Sequence, residues 1–194
     1  MRRLPLVIAS LVLLVTGCGP GFSGDGTTSS GETLAGGEAG EGADTDTDFN
    51  EYCSPQVEWD AEAAAFEAEV LEIVNQRRSE GATCGGQDYA PTGPMALDVQ
   101  LRCAARIHSL DMFVRDFFAH DNPDGESPWD RVAKTDYSAN PTGENIAQGY
   151  PTPVDVMQGW MDSPGHCQNI MNPDSNEIGI GYYDSYWTQV MGRR

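Results

Sequence analysis

Three histidines, at positions 108, 120 and 166, are the side chains of this sequence whose ordinary titration falls nearest neutral pH. His120 follows Phe117-Phe118-Ala119 and precedes the turn-forming run Asp121-Asn122-Pro123-Asp124-Gly125. His166 lies in Ser163-Pro164-Gly165-His166-Cys167, and Glu144 stands between the two in Gly143-Glu144-Asn145-Ile146. Brought together, His120 and His166 could offer imidazole nitrogens to Zn²⁺, with water completing the shell. Glu144 could orient one ring or take a proton from metal-bound water. The same trio also makes sense as a hydrogen-bonded cluster that fixes the shape of a cleft. Nucleophilic chemistry has less support. Ser163 is three residues from His166, but no Gly-x-Ser-x-Gly elbow occurs, and Cys167 beside His166 is expected to be oxidised. No His-Glu-x-x-His, phosphate-binding loop or dinucleotide fingerprint occurs either.

The elements that must position these groups follow from periodicity and capping. Trp59 to Ser79 reads as a first helix, with Phe66, Val70, Ile73 and Val74 on one stripe, Arg77 and Arg78 suited to its C-terminal dipole, and Gly81 as its stop. Cys84 to Pro94, rich in glycine and proline, reads as a loop. Asp98 caps a second helix to about Arg115, whose apolar face is Leu101, Ala104, Ala105, His108 and Met112. His108 on that face is expected to be buried with one hydrogen-bonded partner. Ser127-Pro128 and Thr152-Pro153 start two more helices, the second with Val156, Met157, Trp160 and Met161 inward. Ile146-Ala147 belongs to a strand, and Glu177 to Tyr182 and Tyr186 to Met191 form a pair of strands joined through Asp184-Ser185. Glu177 is expected at a strand edge or facing the cleft. The mixture, without regular βαβ alternation, predicts an α+β layered domain.

Phe118-Ala119-His120, Gly143-Glu144-Asn145-Ile146-Ala147, Trp160-Met161-Asp162-Ser163-Pro164-Gly165-His166 and Glu177-Ile178-Gly179-Ile180-Gly181 occur in an order and spacing that resemble the bacterial branch of the CAP superfamily. That superfamily takes in the cysteine-rich secretory proteins, insect antigen 5 and plant pathogenesis-related proteins. The resemblance implies a three-layer α-β-α sandwich with a cleft holding two histidines and two glutamates. The histidines fall on His120 and His166 and the first glutamate on Glu144. The second falls three residues after Trp160, where this chain has Ser163, so a set of four is reduced to three.

The beginning of the chain has a different logic. Arg2 and Arg3, the apolar run Leu4 to Val15, and Val15-Thr16-Gly17-Cys18 read as an export signal over 1–17. The apolar run is shorter than the roughly 20 residues a spanning helix needs. The small residues before Cys18 resemble a bacterial lipobox, which implies lipidation of Cys18, and Gly19 after it points to the outer membrane of a two-membraned cell. Residues 18–51 form an acidic tether rich in Gly, Ser and Thr, too poor in apolar side chains to offset the entropy of ordering. Residues 52–194 are then the domain. The formal charge of −19 comes partly from the tether, and the domain has no run of Lys or Arg, which speaks against nucleic acid and anionic headgroups as partners. Cys53, Cys84, Cys103 and Cys167 form an even set in an exported chain, which predicts two disulfides. Of the three possible pairings, the one that closes a short loop is expected: Cys84 with Cys103, and Cys53 with Cys167.

The resulting expectation is a module tethered to the membrane through its lipid anchor alone. Its cleft, formed by His120, Glu144, Asn145, Ser163 and His166, would bind a ligand or an envelope or extracellular partner, with lipids and sterols suggested by analogy. Zn²⁺ or another divalent cation is optional on His120 and His166. The competing expectation is a metal-dependent hydrolase or protease in which Glu144 is catalytic.

Overall fold

The computed structural model describes residues 50–56 and 58–194; the export segment, Cys18 and the tether up to residue 49 lie outside the described residues. A short 3-10 helix, Glu51–Gln56, leads into α1 (Ala61–Glu80), β1 (Ala82–Cys84), β2 (Gln87–Tyr89) and β3 (Ala96–Leu97). There follow α2 (Val99–Val114), α3 (Pro128–Ala133), β4 (Asn140–Gln148), α4 (Pro153–Asp162), α5 (Pro164–Met171), β5 (Glu177–Tyr183) and β6 (Tyr186–Arg193). β1 and β2 make a small hairpin, and the other strands form one sheet in the order β3-β5-β6-β4. β3 pairs parallel with β5; the other two pairings are antiparallel.

The helices begin where short polar side chains can take their unpaired N–H groups. Asp60 accepts from Glu62 N and Ala63 N, Asp98 from Gln100 N and Leu101 N, and Thr152 from Asp155 N. Ser127 and Asp130 close a reciprocal capping box around Pro128. At the far end of α1, Gly81 has φ +77° and donates its N–H to Arg77 O.

Alternation along the strands builds the layers. Ile178 and Ile180 of β5 and Trp187 and Met191 of β6 pack with Val70 and Val74 of α1, Val156, Met157 and Trp160 of α4, and Ile170 and Met171 of α5. On the other face, Val190 of β6 packs with Leu101, Ala104 and Ala105 of α2 and with Val132 of α3. The domain is thus a three-layer α-β-α sandwich. Gly179 and Gly181 set the closeness of the α2 layer: a Cβ on Gly179 would lie 2.0 Å from Leu101 C, and one on Gly181 2.4 Å from Ala105 C. The Ile-Gly-Ile-Gly pattern therefore places bulk on one face and helix backbone on the other.

Two sequence expectations are corrected. The disulfides join Cys53 to Cys103 and Cys84 to Cys167. Cys84 belongs to the core shared with α1, α4 and α5, whereas Cys103 lies on α2 across the sheet, so proximity in sequence did not make them neighbours. The 3-10 helix carrying Cys53 packs on α2 instead. The segment after α1, expected as a loop, contains the β1–β2 hairpin, and a separate helix, α5, follows α4 directly. Arg77 and Arg78 stand in the last turn of α1, as expected, and Arg78 turns inward. Its side chain is buried and donates to Gly93 O, Ile170 O, Asn172 O and Ser175 O, at 2.6–2.9 Å, tying α1 to the end of α5.

The glycine argument has a direct test. Gly179→Ala should lower stability by about 3 kcal/mol or more, since the clash is with helix backbone and not with a side chain that can move. Gly165→Ala, with nothing within 4 Å of the added Cβ, should be neutral or stabilising by up to about 1 kcal/mol. Chemical denaturation of the two variants decides it; equal stabilities would refute the packing account.

Candidate functional site

β4 is an edge strand, and its successive side chains point to opposite faces of the sheet. Its outward carbonyls are covered: Glu144 O accepts from Asn169 Nδ2 (3.2 Å) and Ile146 O from Trp160 Nε1 (3.3 Å). This blunts the edge against pairing with another chain and fixes α4 and α5 against β4. The cleft is built around this edge.

Glu144 turns its carboxylate toward the α3 side. Oε2 accepts from Arg131 Nη2 at 2.7 Å and Oε1 accepts from His120 Nδ1 at 2.8 Å. The Glu144 and Arg131 side chains are each only 2% exposed, while His120 is 51% exposed. Arg131 also donates to His120 O (2.8 Å) and Glu126 O (3.1 Å), so one guanidinium holds the carboxylate, the backbone at the histidine and the turn after it. The hydrogen bond to Glu144 raises the pKa of His120 above the ordinary imidazole value, against a smaller opposing effect of burial.

Asn145 points the other way and is fully buried. Its Nδ2 donates to His166 O (3.2 Å) and Gln189 Oε1 (3.1 Å), and its Oδ1 accepts from Asn169 Nδ2 (2.8 Å). Its amide therefore holds α5, the helix that carries His166. The half-buried His166 ring has a lowered pKa, first through burial and then through the charge on His120. The two imidazoles are thus biased in opposite directions.

His108 supports the loop leading to His120. It is fully buried, its Nε2 donates to Ala119 O at 3.0 Å, and Nδ1 is buried with no partner. Protonating Nδ1 would place a charge in an apolar site, and burial depresses the pKa to about 3. At His166 a cavity of about 390 Å³ is lined by Phe118, Ile146, Ala147, Gln148, Tyr150, Gly159, Trp160, Ser163 and His166. Its walls are mostly apolar. Ser163, standing where the family has its second glutamate, sits at the junction of α4 and α5.

Other candidates fall away from the cleft. Glu177 accepts from Tyr137 Oη at 2.7 Å and pairs with Arg194, so it belongs to the far end of the sheet. Cys167 is disulfide-bonded and offers no thiolate. The residue sequence reasoning missed is Arg131. An arginine in a short helix reads as exposed, and only the capping box at Ser127, which fixes the helix direction, could have hinted that it turns inward.

The donor set does not suit a catalytic zinc. Among the described residues no three His, Cys, Asp or Glu side chains form a group that could hold a metal ion. Glu144 is committed to Arg131 and His120, leaving two imidazoles where catalytic zinc sites use three protein ligands.

The layers, the β4 edge and the histidine–glutamate cleft define an SCP-type α-β-α domain. The family model for the cysteine-rich secretory protein family, CAP, matches residues 71–191, and the chain belongs to that family. It is similar to YkwD of Bacillus subtilis, at 37% identity over 129 residues, covering 65% of this chain and 46% of YkwD. The chain thus spans less than half the length of that relative. Among solved structures it is similar to an extracellular protein containing an SCP domain from Bacillus anthracis, with TM-score 0.62 and 29% identity over 68% of this chain and 41% of the other. An outer surface protein of Borrelia burgdorferi shares the fold, with TM-score 0.52 and 21% identity over 68% of this chain and 91% of the other. Among the described residues no helix is long and apolar enough to cross a membrane.

Two measurements follow from the buried charges. Arg131→Met should cost about 3–5 kcal/mol by leaving the buried Glu144 carboxylate without its arginine, and adding Glu144→Met should recover part of that loss. A double variant no more stable than the single one would contradict the pairing. His108, whose folded pKa is depressed below the unfolded value near 6.5, contributes stability above that pH, and the contribution is lost as the pH falls. About 2 kcal/mol should be gone by pH 5. His108→Gln should flatten this acid limb in thermal unfolding curves, and an unchanged limb would exclude His108 as its source.

Proposed function

We propose that this chain is a non-enzymatic CAP module, exported and lipid-anchored through Cys18. It binds a small amphipathic ligand, of the lipid or sterol class, in the cleft beside His120, Glu144, Ser163 and His166. The observation that carries the reading is the double commitment of the Glu144 carboxylate. With Oε1 on His120 and Oε2 on buried Arg131, it positions an imidazole and is poorly placed to act as a free general base. What remains is a half-exposed imidazole at His120 and an apolar cavity lined by Ser163 and His166. This combination suits a ligand with a polar head and an apolar body.

A divalent cation is not required. If one enters, His120 Nε2 and a ring nitrogen of His166 are the groups to hold it, giving a two-ligand, exchangeable site. The competing hydrolase reading would need a carboxylate free to work on water, which the Arg131 pair opposes. An envelope or extracellular location accords with the descriptions of the Bacillus anthracis and Borrelia burgdorferi structures as extracellular and outer surface proteins. Attachment at Cys18 gives that location a mechanism. In a two-membraned cell, Gly19 directs it to the outer membrane.

The purified protein should retain fatty acids or sterols in equilibrium dialysis, and the His120→Ala, His166→Ala double variant should bind them at least about tenfold more weakly, a loss of about 1.4 kcal/mol. Neither form should turn over a peptide library with added Zn²⁺ or Ca²⁺. Turnover by the parent that disappears in the double variant would replace this proposal with the hydrolase. Separately, Cys18→Ala should move the protein from the membrane to the soluble fraction on cell fractionation, and continued membrane retention would exclude the anchor.

A further inference from the structure

A larger cavity, of about 660 Å³, lies apart from the histidine cleft, where the start of α1, the end of α2 and the β5–β6 hairpin meet. Trp59, Phe113, Tyr182 and Tyr183 line it together with Glu58, Asp60 and Asp184, and no Lys or Arg is among its lining residues. The rings sit close enough to form a continuous wall. Ring centroids are 5.9 Å apart for Trp59 and Tyr183, and 5.0 Å apart for Phe113 and Tyr183. Phe113 remains 39% exposed.

The wall is held in place before any ligand arrives. Trp59 Nε1 donates to Glu67 Oε1 at 2.9 Å, and the same oxygen accepts the backbone N–H of Tyr182 at 3.0 Å. Glu67 is buried and pairs with buried Arg106 at 2.6 Å, whose guanidinium lies 5.0 Å from the Trp59 ring centre. This neutral buried pair clamps a partly exposed tryptophan from behind.

Aromatic rings carry negative charge on their faces and attract cations, most strongly when carboxylates stand nearby. The kind of cation is limited by the same geometry. Among the described residues no three carboxylate or imidazole side chains form a group that could hold a metal ion, so the acids act at longer range, as suits a bulky cation with spread charge. We propose that this cavity binds a small organic cation, a trimethylammonium group, with Trp59, Phe113 and Tyr183 as its cage and Glu58, Asp60 and Asp184 as its anionic rim. The rim that attracts the ammonium repels an adjoining phosphate. The site therefore selects a free ammonium compound over a phosphocholine headgroup.

The test is titration of the intact protein with choline, followed by NMR of the Trp59 indole and the Tyr183 and Asp184 amides. Choline should give saturable shifts confined to this region and weakened by salt. Its uncharged isostere, 3,3-dimethylbutanol, and phosphocholine should each bind at least about tenfold more weakly, about 1.4 kcal/mol. The pair Glu58→Gln, Asp184→Asn should weaken choline by about the same factor with unchanged thermal unfolding, and Phe113→Ala should weaken it likewise in a protein whose NMR spectrum shows it folded. Asparagine tolerates the φ of +43° at position 184, so the charge can be removed without disturbing the hairpin. Equal binding of choline and its isostere, preference for phosphocholine, absence of saturable shifts, or full affinity in the charge variant would each overturn the proposal.

Discussion

The arrangement of the cleft depends on a carboxylate that is taken out of water and given two partners. Glu144 on the edge strand is held by Arg131 from α3 and in turn holds His120 from the preceding loop. Burying a carboxylate without a partner is costly, and a buried pair tolerates little misplacement. The contact therefore locks three segments, far apart in sequence, into one geometry. Arg131 extends the lock by donating to the carbonyls of His120 and Glu126. His108 adds a second support through Ala119 O. The exposed imidazole is consequently the tip of a buried polar network, which gives it a fixed place and a raised basicity.

His166 is placed by a different set of forces on the other side of the same strand. The Cys84–Cys167 bridge, the Arg78 side chain and the Asn145–Asn169 pair all act on α5 or its ends. Every one of these contacts links α5 to an element distant in sequence. Burial and the neighbouring positive charge keep this ring less basic. The two imidazoles are thus biased in opposite directions, and the His166 ring lines an apolar cavity.

The fold and the His120–Glu144 pair were legible because they rest on local signals and on a family pattern. Asp98, Ser127 and Thr152 cap the helices they were expected to start. Leu101, Ala104, Ala105, His108 and Met112 are all buried, as their spacing predicted. The alternation Ile178-Gly179-Ile180-Gly181 marked a strand, though not that its glycines admit helix backbone. What was hidden depends on contacts across layers. A short loop favours the Cys84–Cys103 pairing entropically, but the chain crosses from one face of the sheet to the other between them, and the sequence does not display that crossing. The inward turn of Arg78 and of Arg131 was hidden for a related reason. A long cationic side chain is exposed by default, and the carbonyls and carboxylate that draw these two inward come from elements far along the chain. The helix α5 was concealed because Ser163-Pro164 reads equally as the end of one helix and the start of the next.

The account is tested most directly by ¹⁵N NMR titration of the three imidazoles in the folded protein. It predicts that His120 takes up its proton above the ordinary imidazole range, as the neutral Nδ1–H tautomer before it does so, that His166 follows below that range, and that His108 stays neutral through mild acid. Titration of His120 and His166 together near the unperturbed value, or a neutral His120 carrying its proton on Nε2, would contradict the Glu144 contact on which the cleft is built.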